Sequence, residues 1–233
     1  MRRILWIAVL LALVFLWGGV YYLYDRIPLD IVPLPQNRCE VPTLVSPGDR
    51  NHNGNPDSLD MVAAAREEVH KGTVYDGGYY EGGYPPEGRG ACTDIIWVAL
   101  QGIGYDLKAA VDADIARHTG DYPRVNGRPD PNIDFRRVPN QVVFFKKYGT
   151  SLTTEVRPGD VENLTQWQPG DIVVFGPPLE HIGIISDKRR PDGVPLLIHN
   201  AGPRAAENDR LLSWPSKIAH HFRFPPWSSG NDS

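Results

Sequence analysis

The sequence predicts an α+β fold, with N-terminal helices packed on an antiparallel sheet and one transmembrane helix before them. Three features predict this: an uncharged apolar run near the N-terminus, then segments with helical periodicity, then short apolar segments between Gly- and Pro-rich turns. Helices that precede the strands in the chain are typical of proteins with separate helix and sheet layers. A chain of 233 residues is long enough for one sizeable core.

The first 24 residues are predicted to be a membrane anchor. Residues 4–24 carry no charged side chain, and about 20 helical residues span the apolar core of a bilayer. Arg2 and Arg3 precede this run, which favours a single-pass protein of the cytoplasmic membrane with a cytoplasmic N-terminus and an extracytoplasmic C-terminal domain. A cleaved signal peptide is the alternative, but tyrosines stand where its small-residue cleavage motif belongs.

The rest of the chain divides by composition. Residues 25–48 are rich in Pro and predict a tether, on which we expect Cys39 to stay unpaired. A calcium loop is expected at 49–60, a folded domain at 57–227 and a disordered tail at 228–233. The net charge of −4 argues against nucleic acid as a partner. Two cysteines are too few for a disulfide scaffold or a Cys-rich zinc site.

Four segments of the domain have apolar residues three and four positions apart, which predicts helices. They span residues 57–72, 92–103, 107–118 and 139–148. The last of them has Pro139 in its first turn and is followed by Gly149, as is common at helix starts and ends.

Four short apolar segments after Trp167 predict the strands of an antiparallel sheet. They span 171–175, 181–186, 195–200 and 218–224, and Gly- and Pro-containing turns separate them.

Cys92 is the predicted nucleophile. It begins the second helix, where the positive partial charge of the helix N-terminus lowers the pKa of a thiol and so favours the reactive thiolate. A buried, inert core cysteine is the alternative, because Cys92 also lies on the apolar stripe of its helix.

Two histidines on successive strands strengthen the case for catalysis. His181 begins the second strand, a fixed position of the kind that a general base for a thiol needs. His199 and Asn200 lie on the third strand, and strand alternation directs only one of them towards His181. Either could orient the base through a hydrogen bond.

These residues carry a resemblance to a known superfamily. Tyr79-Tyr80-Glu81-Gly82-Gly83, Cys92-Thr93, the strand pair Gly170–Phe175 and His181–Ile184, and Ile198-His199 resemble the motifs of NlpC/p60-type papain-like cysteine hydrolases. Within that superfamily, the segments 92–97, 132–138 and 181–187 resemble the family called domain of unknown function 1287. The resemblance covers residues 57–224.

The resemblance implies a papain-like fold and hydrolysis of amide bonds, often in cell-wall peptides. It implies Cys92, His181 and His199 as the catalytic residues, with Tyr79 as a donor to the oxyanion. The chain departs from the superfamily at two positions, since Ala91 replaces the usual Asp and Asp94 the usual Gly. The insert between Leu107 and Trp167 is also long.

Arg136 and Arg137 could bind a substrate carboxylate, because guanidinium groups bind carboxylates in a bidentate manner. A surface ion pair with Asp134 is the alternative for these arginines.

The segment from Asp49 to Asp60 matches a calcium loop of the EF-hand type. Oxygen-bearing side chains recur at the ligand positions and Gly54 stands at the turn. The predicted ligands of a structural Ca²⁺ are Asp49, Asn51, Asn53, Asn55, Asp57 and Asp60. A solvated turn that caps the following helix is the alternative. Catalysis itself is expected to need no cofactor.

The sequence therefore predicts a membrane-anchored, extracytoplasmic cysteine peptidase or amidase, with peptidoglycan stem peptide as the expected substrate and partner. An acyltransferase, amidase or esterase that uses the same residues is a second hypothesis. An inert module that binds cell-wall peptide in the same cleft is a third.

Overall fold

The computed structural model describes residues 39–227. The predicted anchor, residues 25–38 of the predicted tether and the predicted tail at 228–233 lie outside the described residues. From residue 39 to residue 227, no helix combines the length and the apolar character that a bilayer crossing requires.

The four predicted helices are confirmed, and one short helix follows them. Their bounds are α1 Asp57–Lys71, α2 Cys92–Gly102, α3 Leu107–Arg117, α4 Val138–Tyr148 and α5 Val161–Leu164. Helix α1 ends at Gly72, which adopts the left-handed conformation (φ 67°) that terminates helices. Three short 3₁₀ segments lie in the insert: Thr119–Asp121, Pro123–Val125 and Asp134–Arg136.

The sheet is antiparallel, as predicted, and contains two strands that the sequence did not indicate. Within the described residues its six strands are β3 Thr150–Ser151, β4 Ile172–Phe175, β5 His181–Arg189, β6 Pro195–His199, β7 Ala206–Asn208 and β8 Ile218–Arg223. They pair in the order β3-β8-β4-β5-β6-β7. A separate parallel pair joins β1 Val74–Tyr75 to β2 Arg89–Gly90.

Alternation along the strands gives the sheet two buried faces. One face, with Ile182 and Ile184, packs on the apolar stripe of α2. The other face, with Phe175 and Leu197, packs on Trp167 and its neighbours. Burial of each large apolar side chain stabilises the folded state by roughly 1.5–3 kcal/mol. Packing of α2 on the sheet therefore holds this helix in a fixed position relative to β5.

The described part of the predicted tether is docked on the domain, which corrects the sequence prediction for residues 39–48. The backbone N–H of Cys39 donates to the carbonyl of Pro191 at 2.8 Å, and that of Leu44 donates to the side chain of Gln168 at 2.8 Å. A segment without periodicity still needs partners for its backbone, and here the domain supplies them. Cys39 packs against the apolar residues on the Trp167 face of the sheet, and its thiol is unpaired.

Candidate functional site

Cys92 lies at the first turn of α2, beside the start of β5. The residue as a whole is partly exposed, but its sulfur is desolvated by the surrounding protein. The backbone N–H groups of Ile182, Thr93 and Cys92 itself favour the thiolate and so act to lower the thiol pKa. The thiol is thus influenced by the backbone of Ile182, the residue after His181, because the helix that begins at Cys92 packs on the strand that begins at His181.

A buried ion pair fixes the start of α2. Asp94 accepts a hydrogen bond from the backbone N–H of Ala91 at 2.7 Å, and its carboxylate receives two more from Arg136, both at 2.7 Å. Arg136 also donates to the carbonyls of Gly78 and Asp76. Asp94, which departs from the superfamily pattern, thus joins the helix start to the loop before it.

These contacts overturn the prediction that Arg136 binds substrate. Its side chain is 2% exposed, and its donors are engaged by Asp94 and two backbone carbonyls. An exposed arginine was expected from the sequence, but a bidentate carboxylate partner makes burial of the charge tolerable.

Arg137 is also engaged with the protein. It donates to the carbonyl of Arg124 at 3.0 Å and lies 3.3 Å from the Asp134 carboxylate, with 32% of its side chain exposed. This is the ion pair that the sequence analysis held as the alternative to substrate binding.

Two histidines and an asparagine form a hydrogen-bonded chain at the ends of β5, β6 and β7. Nε2 of His181 lies 2.8 Å from Nδ1 of His199, and Nε2 of His199 lies 3.0 Å from Oδ1 of Asn208. Both imidazoles are buried. His181 joins this series of hydrogen bonds through Nε2, which leaves Nδ1 of the same ring for another partner.

Between the two residues that the sequence left open, His199 is the one that contacts His181. Asn200 is fully buried on the other side of β6, where its side-chain N–H₂ donates to the carbonyls of Thr73 and Gly90. Asn200 thus holds the chain two residues before Cys92, which is a structural role.

Trp214 covers the histidine pair. Its ring stacks on the His181 imidazole with centroids 4.1 Å apart and an interplanar angle of 13°, and it meets the His199 ring edge-on. The indole N–H donates to the carbonyl of Leu179 at 3.1 Å, which holds the indole in place. No sequence signal distinguished this tryptophan from the other five.

Both histidines are neutral near pH 7. Burial, the neighbouring His199 and the Arg210 guanidinium lower the pKa of His181 to about 3. Burial lowers the pKa of His199 to about 4, against the opposing effect of its hydrogen bond to Asn208. Neutral imidazoles can each accept at one nitrogen and donate at the other.

The thiol is neutral as well, which corrects the expectation of a lowered pKa. Burial, with a smaller contribution from the Asp94 carboxylate, raises the pKa of Cys92 to about 11. The backbone N–H groups around the sulfur lower it, as expected for a helix N-terminus, but burial outweighs them. The resting thiol and the two imidazoles are therefore all uncharged.

Alkylation of Cys92 by iodoacetamide is expected to be slow at pH 7 and to rise about tenfold per pH unit towards pH 9, because only the thiolate reacts. The measurement is the rate of modification by mass spectrometry in a Cys39→Ala variant, so that Cys92 alone reports. Fast alkylation that does not change across this range would instead reveal a preformed thiolate–imidazolium pair.

Tyr79 does not serve as the predicted oxyanion donor. It is 59% exposed, and its hydroxyl is bound between Asp130 and the side-chain N–H₂ of Asn132. Among the tyrosines of this loop, Tyr75 is the one whose phenol pKa is raised by Cys92, in addition to a larger effect of burial. The sequence alone did not distinguish it from Tyr79.

The predicted calcium ligands lie close together but bind one another. The side-chain N–H₂ groups of Asn51 and Asn53 both donate to Oδ2 of Asp60, each at 2.8 Å. Asp49 accepts from backbone N–H groups of the loop, and Asp57 accepts from that of Arg50. Among residues 39–227, no group of three or more Asp, Glu, His or Cys side chains could hold a metal. Calcium stays a prediction of the sequence.

If the loop binds Ca²⁺, the ion stabilises the folded state by mass action, because the unfolded chain has no such site. Thermal unfolding in CaCl₂ is then expected at a higher temperature than in EDTA, with MgCl₂ as the control for a general salt effect. Equal unfolding temperatures in CaCl₂ and EDTA would exclude a structural calcium site.

Comparison with known proteins gives a family and two individual similarities. The family model described as domain of unknown function (DUF1287) matches residues 62–224. The curated "Uncharacterized protein YijF" of Escherichia coli (strain K12) is 37% identical over 175 residues, which are 72% of this chain and 82% of that protein.

The second similarity is to a solved structure, NlpC1 from Trichomonas vaginalis, with 12% identity and a TM-score of 0.42. The match covers 76% of this chain and 47% of that chain, so this chain spans about half of its length. A likeness this distant carries no weight for function.

Proposed function

Since the chain belongs to the family described as domain of unknown function 1287, we propose its activity from the chemistry of the site: a cysteine hydrolase that cleaves an amide bond. One observation carries the proposal. The backbone N–H of Ile182 is close enough to the Cys92 sulfur to lower the thiol pKa, and the preceding residue, His181, is the first member of a buried hydrogen-bonded chain.

In the proposed mechanism, Cys92 and His181 start uncharged. Nδ1 of His181 takes the thiol proton as the sulfur attacks the amide carbonyl, so that charge develops during the attack. The backbone N–H of Cys92 and the hydroxyl of Tyr75 donate to the oxyanion. The imidazolium then protonates the leaving amine, and water releases the acyl group from the sulfur.

His199 orients the imidazole of His181 and accepts a hydrogen bond from it. Trp214 excludes water from this pair, which strengthens the hydrogen bonds that hold the rings. The site requires no metal or organic cofactor for these steps.

We propose peptidoglycan stem peptides as the substrate. The predicted anchor at residues 4–24 would hold the domain outside the cytoplasmic membrane, facing the cell wall. Stem peptides supply amide bonds there, and the phenol rings of Tyr75 and Tyr84, 46% and 40% exposed, offer contact surface for a peptide or sugar.

The test is mass spectrometry of purified peptidoglycan after incubation with the full-length protein in detergent, with the Cys92→Ala protein as the matched control. We expect new amine and carboxylate ends with the wild-type protein only. A parallel reaction with acyl esters distinguishes an acyltransferase or esterase. If the wild-type protein binds stem peptide and cleaves none of these substrates, the hydrolase proposal fails and the inert binding module is supported.

A further inference from the structure

Asn208 ends the hydrogen-bonded chain that begins at His181, and no feature of the sequence drew attention to it. It lies on β7, where it pairs with Leu197 of β6. Its side-chain oxygen Oδ1 is 3.0 Å from Nε2 of His199. The other ring nitrogen of His199 is 2.8 Å from Nε2 of His181.

The positions of the protons in this chain follow from the amide oxygen, which can only accept a hydrogen bond. Nε2 of His199 therefore carries a hydrogen, and Nδ1 of the same neutral ring is an acceptor. Nε2 of His181 must then carry the hydrogen that His199 accepts. Nδ1 of His181 is left with a free electron pair.

Trp214 packs against both imidazole rings. With the rings held in this orientation, the tautomer of each ring can still vary. Trp214 stacks on one imidazole at 4.1 Å and meets the other edge-on with centroids 5.9 Å apart. A flip of either ring would break the hydrogen bonds that join it to its partners, so in the observed orientation the identity of the protonated nitrogen depends on those partners.

We infer that Asn208 is a positioning residue: its amide oxygen sets the tautomer of His199 and, through it, keeps Nδ1 of His181 unprotonated. The further step, in which that nitrogen accepts the thiol proton of Cys92, rests on the proposed function. Without the amide oxygen, either tautomer of His199 is available, and part of the His181 population carries its hydrogen on Nδ1.

Substitution of Asn208 is expected to leave β7 in place. Its neighbour Glu207 holds the strand by accepting hydrogen bonds from Arg66 at 2.9 and 2.6 Å and one from Ser186. A change in the tautomer can therefore be separated from a loss of the strand.

The experiment is ¹⁵N NMR of the full-length protein, labelled at histidine, near pH 7, with long-range correlations that distinguish Nδ1–H from Nε2–H. The variants are Asn208→Leu and Asn208→Ala, which remove the oxygen, and Asn208→Asp, which keeps it. We expect the Nε2–H tautomer of His181 in the wild type and in Asn208→Asp, and a mixture of tautomers in the other two. Unchanged tautomers in a folded Leu or Ala variant would overturn the inference.

Turnover provides the second readout. In Asn208→Leu we expect kcat to fall about tenfold with KM unchanged, because the lost interaction acts on the base and not on substrate binding. The NMR measurement needs no turnover. Absence of hydrolysis by the wild-type protein would therefore count against the proposed function, while the tautomers alone decide the role of Asn208.

Discussion

If the protein is the proposed cysteine hydrolase, replacing Cys92 by alanine lowers the rate of amide hydrolysis by about 10⁴-fold or more, because the substitution removes the nucleophile. The fold should survive, because the substitution removes only the sulfur atom from a residue that is partly buried. The measurement is kcat on fragments of peptidoglycan, the proposed substrate, together with the unfolding temperature of both proteins.

The chain offers a matched control for this substitution. Cys39 is the other of the two cysteines in the sequence. It packs on the Trp167 face of the sheet, opposite the face that contacts α2. Cys39→Ala should leave kcat unchanged, which separates loss of the nucleophile from loss of a thiol in general. Equal turnover by wild-type and Cys92→Ala proteins would remove the thiol from the mechanism.

The same site predicts a non-additive result. Residues that act as one unit lose nearly all their effect when the first of them is removed. His181→Ala should therefore cost nearly as much activity as Cys92→Ala, and the double variant should be no slower than the slower single variant. Multiplied losses in the double variant would mean that Cys92 and His181 act independently.

Replacing Arg136 by methionine is expected to destabilise the protein by about 3–5 kcal/mol, which is the usual cost of leaving one partner of a buried ion pair without the other. The orphaned group is the Asp94 carboxylate, which is 5% exposed and sits in the first turn of α2. Chemical denaturation with the midpoint and slope both fitted measures the change.

Two further variants test the cause of this loss. Arg137→Met alters the next residue, whose side chain is 32% exposed, and should cost less than about 1 kcal/mol. Asp94→Leu in the Arg136→Met background removes the stranded charge and should restore part of the stability. A loss in Arg136→Met no larger than in Arg137→Met would show that the buried pair does not stabilise the helix start.

The sequence predicted the helices and the central strands because their signal is local. Spacing of apolar residues identifies α2 without any knowledge of its partners, and the Gly- and Pro-rich turns delimit β4, β5 and β6. The short edge strand β7 has the sequence Ala-Glu-Asn, which shows no apolar alternation. The sequence therefore offered no reason to place Asn208 on a strand or near the histidines.

The remaining departures concern groups whose properties depend on tertiary surroundings. The charge of Arg136 suggested that its side chain is exposed. Only the folded structure shows that Arg136 and Asp94 are buried together as an ion pair. The position of Cys92 at a helix N-terminus correctly indicated favourable backbone N–H groups. The sequence did not show how much water the packed sheet excludes from the sulfur, and that exclusion raises the thiol pKa.

The placement of Asn208 on a margin of the sheet has a consequence for how the protein loses activity. Among residues 39–227, β7 pairs with β6 alone and is three residues long. Its detachment would break the contacts of Glu207 with Arg66 and Ser186, but we expect it to cost less free energy than detachment of a central strand. Detachment of β7 would break the hydrogen bond between Asn208 and His199, while the apolar residues on both faces of the sheet stay packed. Amide hydrogen exchange at β7 should then track inactivation under mild denaturant, ahead of any global unfolding.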